Sequence, residues 1–257
     1  MVVHNGKVAI VTGASKGMGR HFVSALAAAG WQVVGLARAS KELETLPTDD
    51  GRVIAIACDI ASSSAVNAAV AQVADHFGRI DLVVNNAAVF WPFMMENATD
   101  PDIEQHVSIN VLGVMWLIRA AIPYLKQTGG QIVSLTSESV NHPFPMLTVY
   151  AATKAAVETL SAGLRDELQA DGIRVSVLRS GSVAGSSGSV NWSAEDTQAF
   201  YKKIVETGHA NMAGEAASPE SMAAALLAIV SLPADVNADL IEVRAARAGM
   251  PDGVRSS

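Results

Sequence analysis

Cysteine and charged residues are scarce in this sequence. The single cysteine, Cys58, excludes an internal disulfide, and its place in the apolar run VIAIAC favours a small buried side chain over metal or redox chemistry. Only 17% of the residues are charged, the formal net charge is −7, and the lysines and arginines form no cluster. Such a chain does not attract phosphate backbones or anionic lipids, so we expect neither nucleic acid nor a membrane as a partner.

The sequence also lacks long apolar runs and metal-binding spacing. Its amino terminus has no basic region followed by a long apolar stretch, and the longest apolar runs, MAAALLAIV and VLGVMWLI, are too short to cross a bilayer. The six histidines show no spacing typical of a metal site. We therefore expect a cytoplasmic protein without a metal. Half of the residues are hydrophobic, which favours extra buried surface and a homo-oligomer.

Short apolar runs of strand length recur along the chain and alternate with helical patterns. Runs rich in Val, Ile and Leu without polar alternation are typical of parallel strands buried on both faces. We predict an α/β fold, with a single domain over residues 1–257 built on a Rossmann-like, doubly wound parallel sheet of about seven strands with helices on both faces. The runs are residues 8–12, 31–37, 53–58, 81–85, 131–136, 174–178 and 239–243.

Capping and breaking residues mark further elements. Thr99-Asp100-Pro101 precedes a long helical pattern that reaches about Lys126. The Gly- and Ser-rich residues 181–188 are followed by a short helical pattern and by a last helix at 219–230. A Gly/Ser-rich entry to a helical segment is typical of a lid, so we predict a flexible substrate flap at about residues 182–215; a plain surface loop is the alternative.

A tyrosine and a lysine have the spacing of an acid with its activator. Tyr150 and Lys154 lie four residues apart in an alanine-rich run, and Ser137 stands thirteen residues before the tyrosine. In a helix, positions i and i+4 share one face, so the ammonium can sit beside the phenol. A neighbouring cation lowers the tyrosine pKa from about 10 towards the range of a general acid/base. The alternative is an ordinary amphipathic helix with a half-buried ring and a solvated ammonium.

A glycine-rich turn follows the first predicted strand. Residues 12–19, TGASKGMG, open a helix at about Gly17. Glycines at positions 13, 17 and 19 permit a tight strand-to-helix turn and a close approach of the backbone to a pyrophosphate at the positive end of the helix. Such turns also occur for purely structural reasons. The position at the first strand-to-helix connection favours a dinucleotide site.

Taken with the spacing of Ser137, Tyr150 and Lys154, these motifs resemble the short-chain dehydrogenase/reductase family over nearly the whole chain. TGASKGMG resembles the family's TGxxxGxG turn, and residues 85–88, NNAA, resemble its NNAG motif. Asn110 stands where the family places a helix asparagine. The resemblance implies a catalytic set of Asn110, Ser137, Tyr150 and Lys154.

The resemblance also implies a role for each catalytic residue. Tyr150 passes a proton to or from the substrate oxygen, and Ser137 holds that oxygen by a hydrogen bond and steadies its charge. Lys154 lowers the tyrosine pKa and binds the nicotinamide ribose. Asn110 bends its helix and holds a water that links Lys154 to solvent. Without the resemblance, Ser137 and Asn110 would have ordinary structural interpretations.

The end of the second strand indicates which nicotinamide cofactor binds. Selection of NAD usually needs a carboxylate there, whereas selection of NADP needs cations for the extra phosphate. The strand ends Leu36-Ala37-Arg38 without a carboxylate, and Lys16 lies in the glycine-rich turn, so we predict NADP(H) in preference to NAD(H). Asp59 resembles the family's adenine contact, with a turn aspartate as the alternative. The implied cofactor-binding residues are Gly13, Ser15, Lys16, Gly17, Met18, Gly19, Arg38, Asp59, Ile60, Asn86, Ala87, Tyr150, Lys154, Gly181 and Val183.

Two segments depart from the family pattern. Ala88 replaces the glycine that often ends the NNAG motif, and Ser180-Gly181 replaces Pro-Gly after the sixth strand. The threonine expected a few residues later is replaced around Gly185 and Ser186. These replacements leave open how the segment after the sixth strand contacts the nicotinamide amide.

Aromatic residues make up only 5% of the chain but concentrate where the resemblance implies that substrate binds. The segments are 90–95, 142–146 and the flap with Trp192. Pockets lined in this way favour apolar or aromatic carbonyl compounds. The alternative is packing in the core or between subunits, and for His142 a solvated loop position. The predicted substrate-binding residues are Trp91, Phe93, Ser137, His142, Phe144, Tyr150 and Trp192.

The leading hypothesis is an NADP(H)-dependent oxidoreductase that interconverts a ketone or aldehyde and an alcohol. One alternative is an epimerase or dehydratase of the same superfamily, although such relatives tend to be longer and to have differently spaced glycines. Another is a non-catalytic NADP-sensing protein, which the presence of Tyr150 and Lys154 disfavours. The resemblance also implies a tetramer or dimer formed through the helices around 104–126 and 149–170.

Overall fold

A parallel sheet forms the centre of the protein. The strands are β1 Val8–Thr12, β2 Gln32–Ala37, β3 Val53–Ala57, β4 Leu82–Asn85, β5 Gln131–Ser137, β6 Arg174–Ser180 and β7 Leu240–Val243. This computed structural model describes residues 6–46, 51–185, 192–209 and 216–246, and within those ranges seven strands form one sheet in the order β3-β2-β1-β4-β5-β6-β7. Each neighbouring pair is parallel, so the prediction of a seven-stranded parallel sheet is confirmed.

Helices cover both faces of this sheet. Leu26 and Leu226 lie in the core on one face, and Val70, Leu117 and Leu164 lie in the core on the other. The doubly wound arrangement is therefore confirmed. The helices are α1 Gly17–Ala28, α2 Lys41–Glu44, α3 Ser63–Phe77, α4 Asp100–Val107, α5 Gly113–Thr128, α6 Thr148–Leu168, α7 Ala194–Glu206 and α8 Pro219–Val230.

The direction of winding reverses at the centre of the sheet. Strand β1 pairs with β2 on one side and with β4 on the other. Connections that leave β1 and β4 in opposite directions open a crevice at the carboxyl ends of these strands, and such crevices bind ligands in open α/β sheets. The topology therefore indicates where the functional site lies.

The long predicted helix begins as expected and is distorted near its middle. Thr99 Oγ1 accepts a hydrogen bond from the Asp102 backbone N–H, and the Asp102 carboxylate accepts one from the Thr99 N–H, which together form a capping box. Helix α4 then passes into a π-helical turn, Ser108–Leu112, before α5 begins. Asn110 is fully buried in this turn, at the predicted bend.

These segments together form one continuous helical stretch, Asp100–Thr128. Although its apolar runs are individually short, the stretch is long and apolar enough to cross a membrane by length and composition alone. Core helices of soluble proteins meet the same criterion, so one such helix is weak evidence. Leu117, Ala121 and Leu125 are fully buried beside the sheet, which is the position of a core helix.

Most strands differ from the sequence prediction by one residue at one end, and larger differences occur at β6 and α2. Strand β6 extends two residues further, to Ser180, because Ser137 at the end of β5 pairs with it. The short helix α2 is absent from the prediction; Ser40 caps it by accepting from the Leu43 N–H. In the predicted flap, helix α7 confirms the short helical pattern, and residues 186–191 and 210–215 lie outside the described part of the chain.

Candidate active site

The carboxyl ends of the strands open into a cleft of about 680 Å³. Thr12 and Arg38, at the ends of β1 and β2, line one part of it. Asn86, Ser137 and Ser180, at the ends of β4, β5 and β6, line another part. The cleft therefore lies at the crevice that the strand order creates.

The glycine-rich turn between β1 and α1 forms one wall. Gly13 and Gly17 have φ angles of 66° and 55°, in the region that favours glycine. A Cβ atom at Gly19 would lie 2.1 Å from the Gly13 carbonyl oxygen and 2.6 Å from Asn86 Nδ2. The turn is thus closed onto the amino end of α1, where free backbone N–H groups and the helix dipole favour an anion.

The residues after β4 brace this turn. Asn86 Nδ2 donates to the Thr12 carbonyl oxygen at 2.8 Å, and Thr12 Oγ1 accepts from the backbone N–H groups of Asn86 and Ala87, both at 3.0 Å. Asn85 is buried and donates to Ser134 Oγ at 3.2 Å. The NNAA motif therefore ties β1 to β4 and β5 at the cleft.

Most of the predicted cofactor-binding residues line the cleft. Gly17 and Gly19 do not; they shape the turn instead. A helix amino end that favours an anion, with Lys16 and Arg38 beside it, fits a nicotinamide dinucleotide. The predicted residues that line the cleft are Gly13, Ser15, Lys16, Met18, Arg38, Asp59, Ile60, Asn86, Ala87, Tyr150, Lys154, Gly181 and Val183.

Two acidic residues, Asp59 and Glu42, line the same cleft as the glycine-rich turn and the end of β2. Asp59 lines the cleft, which agrees with a cofactor contact. It also accepts a hydrogen bond from the Ala61 N–H at 3.0 Å, which agrees with the alternative of a turn aspartate. Glu42 lines the cleft as well, and its pKa is lowered by its own backbone N–H, by Ser40 and more weakly by Lys16. Glu42 was not predicted because it lies in α2, beyond the strand end on which the cofactor prediction rests. The N-capping serine before it was the available signal.

Tyr150 and Ser137 meet in the cleft. Tyr150 lies in the first turn of α6 and Ser137 ends β5, and both line the cleft. Burial raises the pKa of Tyr150 to about 12, and a hydrogen bond with Ser137 works in the opposite direction. The phenol is therefore held protonated at neutral pH, beside a hydroxyl that can share its hydrogen bond.

Lys154 lies next to this pair, but its effect on the tyrosine differs from the expectation. Its Nζ lies 5.8 Å from the centre of the Tyr150 ring and donates to the Leu135 carbonyl oxygen at 2.8 Å. Burial lowers the pKa of Lys154 to about 8. Burial therefore raises the pKa of Tyr150, and the contribution that lowers it comes from Ser137 and not from Lys154 as expected. Burial disfavours the charged form of both side chains.

Asn110 is bonded to its neighbours at both ends of its amide. Its Oδ1 accepts from the Val89 N–H at 2.8 Å, and its Nδ2 donates to the Val89 carbonyl oxygen at 2.9 Å and to Thr153 Oγ1 at 3.1 Å. Thr153 in turn donates to the Tyr150 carbonyl oxygen at 2.7 Å. Asn110 thus joins the π-helical turn to the segment after β4 and to the second turn of α6.

Aromatic side chains form another wall of the cleft, referred to below as the aromatic wall. Phe90 lies 5.0 Å from Tyr150 between ring centres, and Trp192 donates to the Phe90 carbonyl oxygen at 3.0 Å. Phe200 of α7 packs on Trp192 at 5.1 Å. The predicted residues Phe144 and Trp192 line the cleft, and so does Phe90, which belongs to the predicted segment 90–95. The cleft is also lined by residues that were not predicted individually, namely Leu147, Phe200, Tyr201 and Ile204.

Three predicted substrate residues lie outside the cleft lining. Trp91 donates to Asp102 Oδ1 at 2.8 Å and packs on His106, and Phe93 also packs on that histidine. His106 is fully buried, and burial lowers its pKa. His142 is exposed, which agrees with its solvated-loop alternative. The chain after β4 places Phe90 in the cleft lining and packs Trp91 on α4, a choice that residue type does not reveal.

The segment after β6 is held by hydrogen bonds. The Gly181 N–H donates to the Val243 carbonyl oxygen of β7 at 2.9 Å, and Ser180 Oγ donates to the Gly181 carbonyl oxygen at 2.8 Å. The Ala184 N–H donates to the Ala217 carbonyl oxygen at 2.9 Å. Ser180-Gly181, which replaces the family's Pro-Gly, therefore has defined contacts. Ser186, near the position of the replaced threonine, lies outside the described residues.

Comparison with known proteins identifies the family. A family model for short chain dehydrogenases matches residues 7–197. The chain belongs to the short-chain dehydrogenase family. It is therefore an oxidoreductase of this family, and the resemblance of its motifs to the family is confirmed.

Individual short-chain dehydrogenases and related oxidoreductases are similar over most of the chain. An uncharacterized oxidoreductase of Staphylococcus haemolyticus is 31% identical over 244 residues, which cover 93% of this chain and 97% of the relative. An alcohol dehydrogenase from the archaeon Thermococcus sibiricus, complexed with 5-hydroxy-NADP, is 27% identical with a TM-score of 0.79, covering 93% of this chain and 97% of that one. A 3-ketoacyl-(acyl-carrier-protein) reductase from Brucella melitensis, complexed with NADH, has the same identity, TM-score and coverage. These similarities support a nicotinamide dinucleotide as cofactor.

Proposed function

We propose that this short-chain dehydrogenase interconverts a ketone or aldehyde and an alcohol, with Tyr150 as the general acid/base. The observation that carries the proposal is the meeting of Tyr150 and Ser137 in one cleft, lined also by the glycine-rich turn and the aromatic wall. The bound nicotinamide supplies or accepts the hydride. The protein's own groups bind the substrate oxygen and move its proton.

Each polar residue has a definite part in this chemistry. Tyr150, with its pKa raised to about 12, is protonated at neutral pH and can donate to the oxygen of a carbonyl as it is reduced. Ser137 binds the same oxygen and steadies its charge. Lys154, with its pKa lowered to about 8, is mainly an ammonium at neutral pH and supplies positive charge next to the phenol. Asn110 holds the π-helical turn against α6.

The aromatic wall favours an apolar or aromatic substrate. Phe90, Phe144, Leu147, Trp192 and Phe200 present rings and a branched alkyl chain to the cleft. Burial of apolar substrate surface against such a wall contributes about 25 cal/mol per Å². Sugars and small acids would leave their polar groups without partners there, so we propose a carbonyl compound with a sizeable apolar substituent.

We propose NADP(H) in preference to NAD(H). Lys16 and Arg38 line the cleft beside the end of β2, where they suit an additional phosphate, although Glu42 lies at the same end. The substitution Ala37→Asp adds a carboxylate at that strand end. It should raise kcat/KM with NADH relative to NADPH by about tenfold or more, as expected for one charged hydrogen bond of 1.5–3 kcal/mol. An unchanged ratio would contradict the preference.

The proposed setting is a cytoplasmic homo-oligomer. Val107, Leu112 and Met115 are more than a third exposed along the α4–α5 stretch, and the family resemblance implies a dimer or tetramer through these helices and α6. We further propose one domain over residues 1–257 with a substrate flap at about 182–215, and no nucleic-acid or membrane partner. Light scattering coupled to gel filtration measures the oligomeric state directly.

The reaction itself is tested with a panel of aliphatic and aromatic ketones and aldehydes, followed by NADPH absorbance. Tyr150→Phe keeps the ring and removes the acid. We expect its kcat to fall by a factor of about 10² to 10⁴, the usual contribution of a general acid. Tyr124→Phe is the matched control, because Tyr124 lies in α5 and outside the cleft lining. Turnover at the wild-type rate by Tyr150→Phe would exclude this proton donor.

A further inference from the structure

A chain of charged side chains links helix α6 to strands β6 and β7. Arg179 Nε and Nη2 donate to the two carboxylate oxygens of Glu158 at 2.9 and 2.5 Å, and its Nη1 donates to Glu242 at 3.1 Å. Arg244 Nε lies 3.1 Å from Glu242, and Arg244 Nη1 lies 3.9 Å from Glu138. These five residues are referred to below as the charge network.

The two ends of the charge network flank Ser137. At one end, Thr136 Oγ1 donates to Glu158 at 2.7 Å. At the other end, Glu138 directly follows Ser137, is buried and lines the cleft. The sheet register places Thr136 opposite Arg179, which is opposite Glu242 on the next strand. The contacts therefore run from Thr136, which precedes Ser137, through the charge network to Glu138, which follows it.

The same network reaches the helix that carries Tyr150. Glu158 follows Lys154 by four residues and Tyr150 by eight, so the three side chains lie along one face of α6. Only 14% of the Glu158 side chain and 10% of the Arg179 side chain are exposed, so water competes little for their two-pronged contact. Such a contact fixes α6 against the ends of β5 and β6.

We propose that the charge network positions Ser137 relative to Tyr150, with Glu158 and Arg179 as its central positioning residues. The inference rests on the proposed function, since it concerns the residues that bind and protonate the substrate oxygen. Buried ion pairs contribute little net stability, because desolvation offsets their attraction. Their directional hydrogen bonds are suited to holding a strand end and a helix in register.

The test compares two charge-removing, shape-conserving substitutions. Glu158→Gln breaks the network, and Asp81→Asn breaks a similar two-pronged contact with Arg79, at 2.9 and 2.6 Å, at the start of β4. Asp81 is 6% exposed and lies at the amino end of the strands, away from the cleft. Glu242→Gln is the second network variant, used if Glu158→Gln does not fold.

Kinetics give the first readout. We expect Glu158→Gln to lower kcat on a ketone by about 10- to 100-fold, the order of loss that follows a misplacement of ~1 Å. The NADPH Kd should change by less than about twofold. In a Ser137→Ala background the same substitution should change kcat by less than about twofold, because it acts through Ser137. Asp81→Asn should change kcat by less than about twofold relative to each background.

A second readout does not depend on turnover. The chain has three tyrosines, so ¹³C-labelled tyrosine gives a simple spectrum in which Tyr150→Phe assigns the Tyr150 resonance. Glu158→Gln should move that resonance in the same direction as Ser137→Ala, whereas Asp81→Asn should not. A Tyr150 resonance unmoved by Glu158→Gln would overturn the proposal. Absence of carbonyl turnover in the wild type would overturn the proposed function instead, and the spectrum would still decide the positioning role.

Discussion

Gly19 allows a quantitative test of the glycine-rich turn. In Gly19→Ala, the new Cβ would lie 2.1 Å from the Gly13 carbonyl oxygen, whereas ordinary contact begins at 3.4 Å. The turn must therefore open by more than 1 Å. One clashing atom belongs to the backbone, and the other, Asn86 Nδ2, is held by its hydrogen bond to the Thr12 carbonyl oxygen. We expect the free energy of unfolding to fall by about 3 kcal/mol, the upper range for overpacking.

Cofactor binding should suffer as well. An opened turn no longer presents the amino end of α1 to a phosphate, and we expect the NADPH Kd to rise about 100-fold, which corresponds to ~2.7 kcal/mol. Urea unfolding gives the stability change, and quenching or enhancement of NADPH fluorescence gives the Kd. Both measurements use the same preparation of protein.

Gly163→Ala is the matched control. Gly163 lies in α6 and is exposed, and an added Cβ there meets no atom within 4 Å. This substitution should stabilise the protein by about 0.5–1 kcal/mol and leave the Kd unchanged. If Gly19→Ala matched the wild type in both measurements, the tight turn and its phosphate site would be refuted. A destabilised Gly163→Ala would indicate a neighbouring subunit at α6.

Burial of Lys154 should make stability depend on pH. Its pKa of about 8 in the folded protein lies below the usual 10.5, so between these values the unfolded chain binds the extra proton and stability rises with pH. Lys154→Met should remove a rise of about 2 kcal/mol between about pH 8 and about pH 10, measured by urea unfolding. The wall assignment predicts that Phe144→Ala raises KM for an aromatic ketone by about tenfold through lost apolar burial, whereas Trp91→Ala leaves KM nearly unchanged. Steady-state kinetics with the reverse pattern would contradict the assigned lining.

The sequence was enough to predict the sheet because the signal for buried parallel strands is local. Strands β1 and β4 are both buried along their whole length. The apolar runs at 8–12 and 81–85 indicate this burial without knowledge of the neighbouring strands. The end of β6 was missed because it depends on pairing with Ser137 in β5. Helix α2 was missed because four residues give too little periodicity to detect.

The site could be predicted only where a sequence motif determines both the position of a residue in the fold and the direction of its side chain. The glycine-rich turn and the residues Ser137, Tyr150 and Lys154 meet in one cleft, as expected from their order. Side-chain direction in loops has no such signal, which is why Trp91 and Phe93 were assigned to the substrate. The charge network joins positions 138, 158, 179, 242 and 244, and only the strand register and α6 bring them together.

The late position of β7 in the chain has a consequence for synthesis. A ribosome delivers β1 to β6 before residues 240–243, so most of the sheet can pair while the Gly181 N–H still lacks the Val243 carbonyl oxygen and Arg179 still lacks Glu242. A nascent chain at that stage already contains the turn, the tyrosine, the serine and the aromatic wall, but lacks the contacts of β7 with the end of β6. The contacts that hold the end of β6, and with them the charge network, are therefore completed only after β7 has been synthesised.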